Sequence, residues 1–181
     1  MSKARLELVP PTEKYESQVM SFKTEMLDSG DDFDGCAGLE NTESYGEWLN
    51  FEERLKKMYG DGYVPSEVYL AVRKSDGAVV GIIDYRTRLS DFLLKFGGNI
   101  GYSVRPSERR KGYAKEMLGL LLERCSEAGT DRVLVCCDKE NEVSAKTIIS
   151  NGGVLENEVT DTVGLTQSEE GIIQRYWIDL F

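Results

Sequence analysis

Apolar positions fall into two rhythms along this chain, and their order predicts the elements. Arg5 to Val9 alternates as a short opening strand that stops at Pro10 and Pro11. Thr12 is placed to cap a helix through about Leu27, with Tyr15, Val19, Phe22 and Met26 four, three and four positions apart on one face. An acidic, glycine-rich segment, D-S-G-D-D-F-D-G-C-A-G, follows as a loop, expected to be mobile and to lie over a cleft. A second helix is predicted from about Glu43 to Tyr59, with Tyr45, Trp48, Leu49, Leu55 and Met58 on its apolar side. Val68 to Lys74 then alternates as a strand, S-D-G turns the chain, and Ala78 to Arg86 returns as its hairpin partner. After an apolar connector, Leu89 to Phe96, Gly97-Gly98 opens a strand over Asn99 to Val104.

The same reading continues through a loop with Pro106 into a helix carrying Met117, Leu118, Leu121 and Leu122, ended by Gly129. Arg132 to Cys137 is a continuously apolar strand, which makes a crossover unit whose return strand lies parallel to, or splayed from, the first. A polar turn, D-K-E-N, leads to a short helix closed by Gly152-Gly153. Val154 to Thr160 and Ile172 to Leu180 form a last hairpin around a loop containing Ser168 to Gly171. About seven strands in a mixed, mostly antiparallel sheet with helices on both faces is the fold expected: α/β, in one domain over residues 1–181.

Composition narrows the chemistry. A net charge of −10 in 181 residues argues against general affinity for nucleic acid or for an anionic membrane surface. No apolar run approaches the roughly 20 residues that span a bilayer, and M-S-K-A-R-L-E-L has no apolar leader region, so a cytoplasmic location is expected. The four cysteines, Cys36, Cys125, Cys136 and Cys137, form no C-x-x-C pair and read as free thiols. The complete absence of histidine removes Ser-His and Cys-His nucleophilic pairs and the commonest zinc ligand, and no metal is expected. Aligning D-F-D-G on a calcium-loop pattern puts Gly30 and Asn41 where carboxylates are required, so that site is not expected either.

One stretch stands out against the acidic background. Between the strand ending at Val104 and the helix carrying Met117, Arg105, Arg109, Arg110, Lys111 and Lys115 crowd around Gly112 and Ala114. The first N–H groups of a helix lack partners and carry partial positive charge, so an anion can dock there. Neither G-x-x-x-x-G-K-[ST] nor G-x-G-x-x-G is present. What is present, Arg109-x-x-Gly112-x-Ala114, resembles the R/Q-x-x-G-x-G/A signature of the GNAT superfamily of acyl-CoA-dependent N-acyltransferases. Asn141, Ser144 and Gly152 fall where that family places an Asn after the following strand and a Gly at the end of a short helix.

The resemblance implies a sheet splayed at an acetyl-CoA site. It implies that backbone groups of Tyr102, Ser103 and Val104 run beside the coenzyme's pantetheine arm, with the Tyr102 N–H polarising the thioester carbonyl. It assigns the pyrophosphate to the amides from Arg110 through Lys111, Gly112, Tyr113 and Ala114, helped by the basic side chains of Arg109 and Lys115. It assigns the coenzyme arm to Asn141 and Ser144, with Lys146 able to reach a phosphate or to sit in solvent. Homodimers are common in the family. The implied reaction is acetyl transfer to a primary amine of a small molecule or peptide, and the two N-terminal helices with the acidic loop are the candidates for acceptor selection.

Two positions depart from the family pattern: the place of its usual general acid, a Tyr, is Ile148, and that of its usual base, a Glu, is Gly98. Asp84 is a substitute base, Tyr176 a substitute phenol near the leaving thiolate, and Asn99 a holder of water. The alternative is a coenzyme-binding sensor or interaction protein that has kept the cradle and lost transfer activity.

Overall fold

The computed structural model describes residues 4–60 and 62–181, so Met1 to Lys3, part of the stretch read above for a leader, lie outside them. Seven strands form one sheet: β1 (Leu6–Val9), β2 (Ser66–Arg73), β3 (Val79–Arg86), β4 (Ile100–Val104), β5 (Arg132–Asp138), β6 (Val154–Thr160) and β7 (Ile172–Asp179). Their order is β1-β2-β3-β4-β5-β7-β6, antiparallel at every junction except β4 with β5. The helices are α1 (Glu16–Asp28), α2 (Tyr45–Leu55), α3 (Tyr113–Glu127) and α4 (Glu142–Ile149). This is the mixed, mostly antiparallel architecture expected from the pattern.

Period-2 alternation divides the apolar side chains between two cores. On one face, Met117, Leu118, Leu121 and Leu122 of α3, with Ile148 of α4, pack on Leu6, Leu8, Ile83, Ile100, Val133 and Val135. On the other, Val19, Phe22 and Met26 of α1 and Tyr45 and Trp48 of α2 pack on Val68, Leu70 and Ile82. Burying each such Leu, Ile or Phe side chain favours folding by about 1.5–3 kcal/mol. The stripe read along α1 is thus its buried face, although the segment opens with a 3-10 turn over Glu13–Tyr15 and Thr12 makes no side-chain cap.

The second helix is shorter than its apolar stripe suggested. Ser44 caps it by accepting the Glu47 N–H, while the Glu47 carboxylate accepts the Glu43 N–H, so α2 starts after Ser44. The apolar connector after β3 winds into a π-helical turn, Leu93–Gly97. Arg175 of β7 holds that turn in place by donating to the Leu94 carbonyl at 3.0 and 2.8 Å.

The parallel junction is where the sheet opens. Strands β4 and β5 share a single register pair, Ile100 with Val135, and diverge beyond it. Asn99 holds the closed end: its N–H donates to the Leu134 carbonyl at 2.7 Å, and its Oδ1 accepts the Leu134 N–H at 2.9 Å. Its Nδ2 donates to the Arg86 carbonyl of β3 at 2.9 Å. The expectation that Asn99 holds a water is therefore corrected: both functional groups of the amide are committed to the backbones of β3 and β5, and the residue is buried.

Candidate active site

The split sheet leaves one edge of β4 without a strand partner. Along β3 and β4, hydrogen-bonded pairs alternate from Arg86 N–H to Asn99 O (2.7 Å) at one end to Arg105 N–H to Val80 O (2.8 Å) at the other. That alternation turns Gly101 and Ser103 toward β3 and the N–H groups of Tyr102 and Val104 toward β5, into the split. A cavity of about 720 Å³ occupies this split. Gly101, Tyr102, Cys136, Cys137, Asn141 and Ser144 line its walls.

At one end of β4 the chain makes the cradle. Arg110 and Gly112 both take left-handed backbone conformations, φ +61° and +80°, and Gly112 precedes the first turn of α3. The N–H groups of residues 110–115 have no acceptor among the described residues and are free for an anion. The cationic side chains divide differently from the sequence expectation. Arg109 turns away from the helix start, donating to the Val104 carbonyl at 3.0 Å and pairing with Asp31 at 3.0 Å. Lys111 pairs with Glu108, and the exposed Lys146 with Glu142, both at 2.8 Å. Arg110 and Lys115 form no ion pair among the described residues. Spacing along the chain does not point to Arg5, whose guanidinium lies over the Tyr113 ring and 3.4 Å from where a Cβ on Gly112 would stand.

Across the split, Asn141 caps α4 by accepting the Ser144 N–H at 3.0 Å. The Tyr102 hydroxyl lies 2.8 Å from Ser144 Oγ, and burial pushes its phenol above the usual range. Burial also pushes the Cys137 thiol up to about 11 and that of Cys136 to about 12, so both are protonated at neutral pH. The two positions that lack the family's acid and base have structural reasons for it. A Cβ on Gly98 would come within 2.6 Å of the Leu134 carbonyl, and Ile148 is fully buried in the core beneath α3.

The opposite mouth is acidic. The segment 31–38 borders the cleft and lies backbone to backbone on β4, where Cβ atoms on Gly35 and Gly101 would meet main-chain atoms at 2.1 and 2.8 Å. Ser103 Oγ donates to the Asp34 carbonyl at 2.7 Å, and the Trp48 indole donates to the Cys36 carbonyl at 2.8 Å. Asp32 and Asp34 consequently line the cavity together with Asp138 at the end of β5 and Glu140 of the turn to α4. From the β6–β7 loop, Gln167 donates to Asp32 at 2.6 Å, and Leu165 to Ser168 complete the wall. The Asp161 carboxylate shapes that loop by accepting N–H bonds from Val163, Gly164, Leu165 and Thr166, which hold it down at about 2.

Asp84 lies beneath this mouth rather than in it. It is buried, its Oδ1 accepts the Gly101 N–H at 2.9 Å, and its Oδ2 pairs with Arg86 at 3.1 Å. Desolvation raises its pKa against the opposing pull of Arg86. Arg86 reaches both the split cavity and a second one of about 500 Å³ between α2 and residues 62–66. Tyr176 stands apart: it is buried among the α3 side chains, and its hydroxyl donates to Gln174 at 2.6 Å.

A family model for the acetyltransferase (GNAT) domain matches residues 5–154, most of the chain. The chain belongs to the GNAT acetyltransferase family. It is an acetyl-CoA-dependent acyltransferase, and acetyl-CoA is the co-substrate. No curated protein sequence matches it. Solved GNAT structures share its fold at low identity. The microcin C7 self-immunity acetyltransferase MccE, solved with acetyl-CoA and AMP, superposes with a TM-score of 0.70 at 14% identity, covering 98% of this chain and 93% of that one. RimL, a ribosomal alpha-N-protein acetyltransferase in complex with coenzyme A, gives 0.71 at 16% identity over 99% and 97%. A ribosomal-protein alanine acetyltransferase from Vibrio fischeri gives 0.70 at 13% identity over 99% and 95%. Among the described residues, no helix is long and apolar enough to cross a membrane.

The residues present fit the coenzyme on grounds of their own. Unpaired amides at a helix start suit a pyrophosphate, and the partnerless edge of β4 suits an arm that carries amide groups.

Proposed function

We propose that this GNAT chain is an N-acetyltransferase that moves an acetyl group from acetyl-CoA to a primary amine of a small molecule or peptide by direct attack. The observation that carries this reading is the meeting of two features in one cavity: the inward-facing Tyr102 N–H on the free edge of β4, and the acidic mouth formed by Asp32 and Asp34. The first is a fixed donor for the oxygen of a thioester carbonyl, a role that contributes several kcal/mol when the donor is preorganised. The second concentrates cations, and an amine is cationic at neutral pH. The likeness to proteins described as acting on ribosomal protein termini and to a spermidine N-acetyltransferase chimera supports an amine acceptor.

In this reading residues 110–115 hold the pyrophosphate through their amides, with Arg110, Lys115 and Arg5 beside them, and Asn141 and Ser144 border the coenzyme arm. Bound acetyl-CoA supplies the activated acyl group. Asp84 acts through Gly101, fixing the start of β4 so that the next N–H stays aimed into the split.

Calorimetric titration with acetyl-CoA on the wild type and on Gly112→Glu, followed by mass spectrometry of an amine panel, tests the reading. Micromolar binding lost in the variant, with an N-acetyl product of plus one acetyl group, is the expected result. Binding without transfer to any amine would favour a sensor, and a folded wild type that does not bind would remove the coenzyme site.

A further inference from the structure

We propose that the Asp34 carboxylate takes the proton from the acceptor amine. The proposal rests on the amine-acetylation reading and assigns its missing base.

The two buried or cleft-facing aspartates near β4 differ in what their oxygens are doing. Asp84 has one oxygen on the Gly101 N–H and the other against Arg86, and it does not line the split cavity. Asp34 lines that cavity beside Gly101 and Tyr102, and its carboxylate has no hydrogen-bond or ion-pair partner among the described residues. Its position is fixed from the main chain. Ser103 Oγ holds the Asp34 carbonyl at 2.7 Å, and the next residue, Gly35, lies against the Gly101 backbone closely enough that no Cβ fits between them. The main chain is thereby fixed so that the Asp34 side chain enters the same cavity as Tyr102.

The electrostatic setting suits a base. Asp34 is walled by protein yet open to water through the cleft, and desolvation raises its pKa, with Asp32 the next cause. Glu40 on its own segment and Asp84 of β3 push in the same direction, and Arg86 of β3 pulls the other way. Opposite stand the neutral Tyr102 phenol of β4 and Cys137 thiol of β5, both of which feel the Asp34 charge. Gln167 anchors Asp32 from the β6–β7 loop.

The step balances as follows. An amine arrives as its ammonium ion, and Asp34 removes one N–H proton, freeing the lone pair. The lone pair forms the C–N bond to the acetyl carbon as the C–S bond breaks and the electron pair leaves on sulfur. The second N–H proton reaches the thiolate through water, giving the amide and coenzyme A, and Asp34 returns its proton to solvent.

Rate–pH profiles on an accepted amine for wild type, Asp34→Asn, Asp32→Asn and Asp84→Asn, with acetyl-CoA affinities alongside, test the assignment. Asp34→Asn should lower kcat/KM for the amine by about 100-fold or more and abolish the acidic limb, with acetyl-CoA affinity within about two-fold of wild type. Asp32→Asn should keep the limb and move it to lower pH, because losing a neighbouring negative charge makes Asp34 easier to ionise. Asp84→Asn should slow the reaction with the limb intact. A wild-type rate and limb in Asp34→Asn, or a limb lost only in Asp84→Asn, would overturn the proposal while leaving amine acetylation standing. A wild type that acetylates no amine would remove the functional reading and this assignment together.

Discussion

Gly101 and Gly112 show how differently two glycines of one motif region are constrained. A Cβ on Gly101 would meet the Gly35 nitrogen at 2.8 Å, Asp84 Oδ1 at 3.1 Å and Arg86 Nη2 at 3.1 Å, with main chain on one side and an ion pair on the other. The Gly35 backbone cannot move without undocking the segment that carries Asp34, and moving Asp84 or Arg86 disturbs their ion pair. Gly101→Ala should therefore cost about 2 kcal/mol or more, within the range for overpacking, and a urea midpoint equal to that of wild type would show that the docking gives way easily. A Cβ on Gly112 would meet only the flexible end of Arg5, so Gly112→Ala carries mainly the strain of φ +80°, about 1 kcal/mol. Its larger effect should appear in acetyl-CoA affinity, because the methyl group stands beside the free amides; calorimetry on a folded Gly112→Ala chain checks this. The cradle was legible because its groups are consecutive amides and a local Gly. Arg5 was not, because 107 positions separate it from Gly112, and neither was the diversion of Arg109 to Asp31, 78 positions away.

Among the elements, the strand and helix order could be read from the chain because periodicity reports which face is buried. The function of an element's end could not. Asn99 opens β4 in a polar N-I-G-Y context that suits a ligand contact as well as a structural one. Only the register of β4 against β5 shows that its amide spans three strands. Removing that amide leaves the Arg86 carbonyl and the Leu134 N–H without their side-chain partner. Asn99→Ala should thus destabilise by about 2–4 kcal/mol, roughly one to two unmet buried groups. It should also weaken acetyl-CoA binding by letting the closed end of the split open. Asn99→Asp keeps one acceptor for Leu134 but sets a buried carboxylate oxygen against the Arg86 carbonyl, so it should cost at least as much as Ala; equal urea midpoints for all three chains would show that the backbone alone closes the sheet. Tyr176 illustrates the same limit from the other side, since a phenol on an R-Y-W-I strand can face either layer. Pairing with Val135 and Leu155 puts it in the α3 core rather than among the residues that line the cleft.

At the scale of the molecule, the missing histidines make the pH response unusually readable. With none present, side chains that titrate between about pH 5 and 7 are ones the fold has shifted. Among the described residues, desolvation raises three carboxyls: the buried Asp84, the buried Glu52 of α2 with Lys56 at 3.2 Å, and Asp34, whose side chain stays exposed to the cleft. For a raised acid the folded state holds its proton to higher pH than the unfolded chain, so folding takes up protons between the unfolded and the raised value, and stability falls as pH rises through that range. The net charge of −10 acts in the same direction, since each added negative charge increases self-repulsion. Asp161 is the opposite case: its carboxyl is lowered to about 2 by the loop amides, so its contribution is present above the unfolded value of 3.8 and fades as pH falls toward 2. The expected curve is a stability maximum on the acidic side of neutrality, with a higher thermal midpoint at pH 5.5 than at pH 8 and a decline below pH 4 as the β6–β7 loop loses its anchor. Raising the salt concentration separates the two causes of the neutral-side decline, because it screens surface repulsion and leaves the buried carboxyls unscreened. Asp84→Asn should flatten the remaining salt-insensitive slope at the site where Gly101 is held. A thermal midpoint that climbs steadily from pH 5.5 to 8 would mean that these carboxyls ionise as freely in the fold as in the open chain, and that the acidic mouth lacks the desolvation that prepares Asp34 to accept a proton.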